Sequence, residues 1–143
     1  MKSVKSFLGI FVMASMIVAC NNVDFKKTRA GVPYKIFSNK KGDSLKINNV
    51  VKFHYIQKIK DSVLYSSYER LAPQYMQLQL QVAPPNYSDP ASNIQEILLR
   101  ARSGDSIYMA QATDSILNQN PQLAEKFKRG EQIVTTIRIL EVY

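Results

Sequence analysis

The sequence predicts an α+β fold: short antiparallel strands in one sheet, with an amphipathic helix inserted late in the chain. Three observations point there. Two runs are rich in β-branched and aromatic residues: "VKFHYIQKIK" (residues 51–60) mostly alternates apolar with polar side chains, the period of a half-buried strand, and "QIVTTIRILEVY" (residues 132–143) reads as a strand apolar on much of both faces. The links between the early runs are a few residues long, enough for hairpins and too short for parallel crossovers. One stretch after Pro90 repeats its apolar residues at helical spacing instead. With 143 residues, 45% of them hydrophobic, the chain has room for one domain with a modest core.

The N-terminus is of a different kind. Lys2 and Lys5 form a short basic head, and "FLGIFVMASMIVA" (residues 7–19) is uncharged and mostly apolar. This run is too short to span a bilayer as a helix, which takes about 20 residues, and it suits the hydrophobic region of a secretory signal. "IVAC" (residues 17–20) then ends on Cys20, the only cysteine, and resembles the lipobox of bacterial lipoproteins. Cleavage before Cys20 and lipidation of its thiol are therefore expected, giving residues 1–19 as signal, 20–31 as a lipidated tether and 32–143 as the domain. Each buried methylene of an acyl chain contributes about 0.8 kcal/mol, and two or more chains make attachment durable.

Removing residues 1–19 takes away Lys2 and Lys5 and no acid, so the formal charge of +8 becomes +6. The basic residues cluster loosely: Lys26, Lys27 and Arg29; Lys40 and Lys41; Lys126, Lys128 and Arg129. An exported chain with no recognised nucleic-acid module is not expected to bind nucleic acid. Solvated surface is the plain reading of these charges, and attraction to an anionic membrane or an acidic partner is their functional one.

Each element follows in order. Residues 32–38 ("VPYKIFS") predict a first strand, with Pro33 tolerable near its start or on an edge. Residues 39–44 are a polar turn around Gly42 and Asp43. From Val51, the residues Val51, Phe53, Tyr55 and Ile59 alternate with Lys52, His54, Lys58 and Lys60, with Ile56 and Gln57 breaking the pattern. Asp61 and Ser62 turn the chain and residues 63–68 return. Residues 74–80 ("QYMQLQL") place Met76, Leu78 and Leu80 on one face. Three prolines make residues 82–90 a loop.

Ser92 and Gln95 then have the spacing of a capping box. Ile94, Ile97, Leu98 and Ala101 form one apolar helix face, with Arg100 and Arg102 near the end and Gly104 just past it. Residues 105–112 predict a strand, residues 120–130 a short helix burying Leu123 and Phe127, and residues 132–143 the closing strand. There is no internal repeat.

Little conventional catalysis fits these residues. With one histidine, His54, and a lipidated Cys20 there is no nitrogen/sulfur ligand set for zinc, and no cofactor is expected. His54 lies mid-strand, where a structural role is commoner than membership of a Ser-His-Asp triad. Asp61 with Glu69 would be a candidate acid–base pair, yet a hairpin turn and a strand end account for both. The glycines are isolated, so no phosphate cradle is present.

The order of elements, with "FHY" (residues 53–55), "DS" (61–62), "LYSSYER" (64–70), "SGDSIYM" (103–109) and "GEQIVTTIRILEV" (130–142), resembles the FKBP-type peptidyl-prolyl isomerases. In that family a V-H-Y strand leads through an Asp-Gly turn to F-D-S-S. The resemblance spans residues 32–143 and implies a curved antiparallel sheet wrapped round a short central helix, with an apolar proline-accepting pocket between them. It implies substrate-binding positions at Tyr55, Leu64, Tyr65, Met76 and Ile94. The family's Phe-Asp pair falls on Leu64 and Tyr65 with a one-residue gap, or on Tyr65 and Ser66 without one, so its carboxylate is absent either way. Ile94 stands where the family has a tryptophan, Thr135 and Met76 stand in for aromatics, and the loop after Met109 lacks a tyrosine.

The expected activity is prolyl cis–trans isomerisation of polypeptide clients in a bacterial cell envelope, periplasm-facing or on the surface, with membrane attachment through Cys20. The alternatives are a non-catalytic FKBP-like binding module or chaperone, and an accessory subunit of an envelope complex.

Overall fold

The computed structural model describes residues 25–143; the expected signal segment and Cys20 lie outside the described residues. Seven strands form one antiparallel sheet: β1 (Lys26–Lys27), β2 (Pro33–Phe37), β3 (Val50–Ile59), β4 (Ser62–Ser66), β5 (Gln74–Gln77), β6 (Ser106–Ala112) and β7 (Gln132–Val142). Helix α1 (Pro90–Leu98) precedes β6, and a second helix, α2 (Thr113–Gln119), follows it. The spatial order is β1-β2-β6-β7-β3-β4, with β5 also on β3. The sheet curls round α1 as a half-barrel, the architecture the sequence predicts.

Period two decides which residues face inward. Val51 and Phe53 of β3, Ile107 and Met109 of β6, and Ile133, Thr135, Ile137 and Ile139 of β7 are all buried. Pairing in register keeps them on one face: Tyr55 lies opposite Ile137, and Ile137 opposite Ile107. Against that face α1 packs Ile94, Ile97 and Leu98, with Ala101 just beyond its end. The predicted apolar face of the helix is thus the floor of the core. Burying side chains of this size contributes roughly 1.5–3 kcal/mol each, which is what holds a nine-residue helix too short to be stable alone.

Several boundaries differ from the expectations. The helix is capped by Asp89, whose carboxylate accepts from the Ala91 N–H at 3.1 Å, and Pro90 occupies the first turn. Ser92 lies inside the helix and donates to Asp89, while the Gln95 amide reaches the Gln79 carbonyl, so the Ser92–Gln95 capping box does not form. Gly104, at φ +82°, serves the turn from Arg102 to Asp105 rather than the helix end. Residues 121–125 form a 3-10 turn that buries no side chain, and Leu123 and Phe127 are only partly covered. The buried side chains of this region come from α2, through Thr113, Ile116 and Leu117.

The expected tether is partly structured. From Phe25 onward the chain belongs to the domain: β1 pairs with β2, Thr28 is buried and donates to the Asn93 side chain at 2.8 Å, and Arg29 reaches the nearly buried Glu96 at 3.3 Å. Arg100 holds the other Glu96 oxygen at 3.3 Å. In the turn after β2, Gly42 meets the Ser103 carbonyl so closely that a Cβ would lie 2.0 Å from its oxygen.

Candidate functional site

The succession of hairpins expected from the short links is split at β3. β3 pairs with β5 over Val50–Phe53 and with β4 over Ile56–Ile59, and residues 67–73 connect the two halves. Ser67 closes the split. It is fully buried, its Oγ accepts from the Tyr55 N–H at 2.9 Å, donates to the Tyr55 carbonyl at 3.2 Å and lies 2.8 Å from His54 Nδ1. Its own N–H donates to the Tyr55 carbonyl at 3.0 Å.

A serine and a histidine in contact invite a nucleophilic reading, which this geometry answers. The Ser67 hydroxyl is committed to the backbone of Tyr55 and shut away from solvent. The His54 ring is stacked on Tyr68 at 4.1 Å, and no carboxylate orients it. The pair is a structural clasp. No group of three or more His, Cys, Asp or Glu side chains able to hold a metal occurs among the described residues.

The clasp positions Tyr55, and beside Tyr55 the sheet and α1 enclose a recess of about 180 Å³. Its sheet wall is Phe53, Tyr55 and Gln57; Met76 and Gln74 come from β5; Pro90 and Ile94 come from α1. Three of the five positions implied by the resemblance, Tyr55, Met76 and Ile94, are therefore brought together. Tyr65 is adjacent: its ring stacks on Tyr55 with centroids 4.6 Å apart, and its hydroxyl accepts from the Gln74 amide at 3.2 Å. Leu64 is not among the lining residues. It stands half exposed on β4, where a register shift between Gln57 and Lys58 inserts an extra residue and alters which side chains point inward.

The recess is apolar at its base and amide-lined at its side. Ile94 and Phe53 are buried. Gln57 does not break the strand: it faces inward and donates to Thr135 Oγ1 at 3.3 Å. No carboxylate lines the recess. The Arg70 guanidinium sits 4.8 Å from the Tyr65 ring centroid, a cation–π contact. Desolvation raises the Tyr55 phenol above its ordinary value of 10.0, the neighbouring Tyr65 adds to this, and Arg70 opposes it. Tyr55 is thus a neutral hydrogen-bond donor at physiological pH. Phe53, Gln57, Gln74, Tyr75, Pro90 and Ala91 line the recess beyond the motif-based set. For Gln57 the signal was present, as a polar residue on the buried parity of a strand.

Comparison with known proteins places the fold. No family model matches the sequence, and no curated protein does. Among solved structures, the chain is similar to FkpA from Escherichia coli, with a TM-score of 0.54 and 18% identity over 82% of this chain and 51% of that one. It is similar to a peptidyl-prolyl cis-trans isomerase from Pseudomonas syringae pv. tomato, at 0.54 and 15% over 82% and 80%. The N-terminal domain of FKBP42 from Arabidopsis thaliana aligns at 0.51 and 11% over 78% and 86%. The chain spans about half the length of FkpA. At these identities the likeness is one of fold: the domain has an FKBP-like fold.

Proposed function

We propose that this chain is a peptidyl-prolyl cis–trans isomerase of modest activity that binds proline-containing segments of client proteins in a bacterial cell envelope, held to the membrane through a lipid on Cys20. The observation that carries the catalytic part is the convergence of Tyr55, Met76 and Ile94 on one small apolar recess beside a protonated phenol. At about 180 Å³ it is smaller than the roughly 300–1,000 Å³ of pockets for drug-sized ligands, and it suits a single prolyl ring.

The chemistry asks for no nucleophile. Rotation about a peptide bond meets a barrier of about 18–20 kcal/mol, and X-Pro bonds isomerise in roughly tens to hundreds of seconds. Twisting the amide weakens its resonance and with it the charge separation that water solvates. An apolar recess therefore binds the twisted amide better than the planar one, and differential binding of that kind lowers the barrier. Tyr55 can donate to a client carbonyl while Phe53, Met76 and Ile94 exclude water.

A second reading, a non-catalytic binding module or chaperone, is favoured by one observation: Tyr65 and Gln74 flank the recess and no acid lines it. Residues 20–143 carrying Cys20→Ser, assayed for cis-to-trans conversion of a short proline peptide with and without Tyr55→Ala, separate the two. Acceleration lost in the variant supports the isomerase. A rate equal to buffer, with peptide binding or improved folding yield retained, supports the module. Mass spectrometry of the chain from membranes tests the acyl group on Cys20.

A further inference from the structure

The face of the sheet turned away from α1 carries an unusual set of side chains. Alternation sends Lys35 and Phe37 of β2, Tyr108 of β6, Thr136 and Arg138 of β7, and Ile56 of β3 outward, and pairing lines them up: Lys35 opposite Tyr108, Tyr108 opposite Thr136, Thr136 opposite Ile56. Phe37, Tyr108, Arg138, Ile56 and Tyr68 surround a shallow depression of about 420 Å³. Phe25 packs edge-on against Tyr108, 5.8 Å between centroids, and both phenylalanines are about half exposed, at 49% and 54%. Lys35 Nζ lies 5.0 Å from the centre of the Phe37 ring.

Charge on this face is mainly positive. Among the outward positions of β2, β3, β6 and β7, Lys35, Lys52, Lys58 and Arg138 meet a single carboxylate, Glu141, which Lys52 already pairs at 3.3 Å. β1 adds Lys26 and Lys27 at the sheet edge.

We propose that this convex face is a membrane-docking surface, which seats Phe25, Phe37 and Tyr108 at the headgroup level of an anionic bilayer while Lys35, Lys58 and Arg138 engage the lipid phosphates. Aromatic rings favour the membrane–water interface, where an apolar body and a polar edge are both satisfied, and basic side chains are drawn to an anionic leaflet. An acidic protein would match the cations but leaves two half-exposed phenylalanines unexplained.

The chain length agrees. Residues 21–24 separate Cys20 from Phe25, and fully extended they reach at most about 18 Å. An acylated Cys20 would thus hold this edge of the sheet close to the bilayer. The docked orientation turns the prolyl recess, on the opposite face, toward the aqueous space. The proposal draws its tether from the reading of Cys20, but the face itself stands without it.

The test uses residues 20–143 carrying Cys20→Ser, a piece that contains every described strand, both helices and the whole core. It is sedimented with vesicles of phosphatidylcholine alone or with added phosphatidylglycerol. Expected is binding to the anionic vesicles only, released by salt, and weakened about tenfold by Lys35→Glu with Arg138→Glu and similarly by Phe25→Ser with Phe37→Ser. These positions are exposed, and an unchanged melting temperature would show that the fold persists.

Equal binding to both vesicle types overturns the proposal, as does binding lost with charge reversal at Lys126, Lys128 and Arg129 but not at the convex face. An absence of vesicle binding, with or without capture of an acidic polypeptide by the convex face, also overturns it. Since this protein carries no lipid, its result is independent of whether Cys20 is acylated in cells.

Discussion

The phenol rings of Tyr55 and Tyr65 lie face to face, 4.6 Å apart and inclined by 17°. Such a pair contributes about 0.5–1.5 kcal/mol beyond simple burial. It also ties the wall of the recess to β4. With a one-residue gap at the turn, the resemblance sets Tyr65 where the family has its acid; no carboxylate lines the recess, and Tyr55 faces a second phenol with a guanidinium beside it.

That arrangement has a titration signature. Burial and Tyr65 hold the Tyr55 phenol above 10.0 and Arg70 pulls it down. Tyr65→Ala exposes the ring and removes a neighbour, so the Tyr55 value falls toward the ordinary one; Arg70→Gln removes the opposing cation, so it rises. Phenolate absorbance, with Tyr55→Phe as the subtraction, reads both shifts. Because the folded state holds this proton more tightly than the unfolded chain, the contribution is fully present below about pH 10 and is lost as the pH climbs from the unfolded value through the raised folded one. Stability should therefore decline less steeply above pH 10 in Tyr55→Phe than in the parent.

Ser67 is expected to matter for folding and not as a nucleophile. Ser67→Ala leaves the buried Tyr55 N–H and His54 Nδ1 without their shared partner, and an unsatisfied buried polar group costs about 1–3 kcal/mol. Chemical denaturation should show a loss in that range. A serine-directed phosphonate should leave Ser67 unlabelled in the parent, since its hydroxyl has no route to solvent.

How much of this could be read from residues alone depended on whether one periodicity governed the element. β3 and β7 were legible because every buried position shares a parity. Gln57 interrupts the alternation because a polar residue stands on the inner parity, which is also how a pocket wall looks. The helix was legible by its apolar face but not by its start, where Asp89 and Pro90 outcompete Ser92; proline in the first turn is the signal that decides it. Helix α2 is hard to read because its inward set, Thr113, Ile116 and Leu117, has helical spacing but opens on a polar residue, which leaves two adjacent apolar residues as the hydrophobic signal. Leu64 lies outside the recess because the shift between Gln57 and Lys58 resets the alternation along β4.

The cap of α1 connects stability to the site. Asp89→Ala removes the acceptor for the Ala91 N–H and the partner of Ser92, which costs about 1 kcal/mol by itself. Pro90, Ala91 and Ile94 line the recess, so fraying of this turn loosens one wall. Weaker peptide binding should accompany the lower melting temperature.

Leu64 and Met76 provide the sharpest contrast, since the resemblance implies pocket contact for both. Met76 lines the recess and packs against the core; Leu64 is 48% exposed on the outer strand. Met76→Ala should remove contact area from a bound prolyl ring and cost stability as well, about 2 kcal/mol or more if the side chain were fully buried and less for one that is partly exposed. Leu64→Ala should be nearly silent in both respects. Peptide titrations of the two variants, each normalised to the folded fraction at the assay temperature, measure this directly. Loss of binding in Leu64→Ala with none in Met76→Ala would place the client on the outer strand and not in the recess. The exposed Val63 and Leu64 of β4 would then mark the strand that recognises the polypeptide.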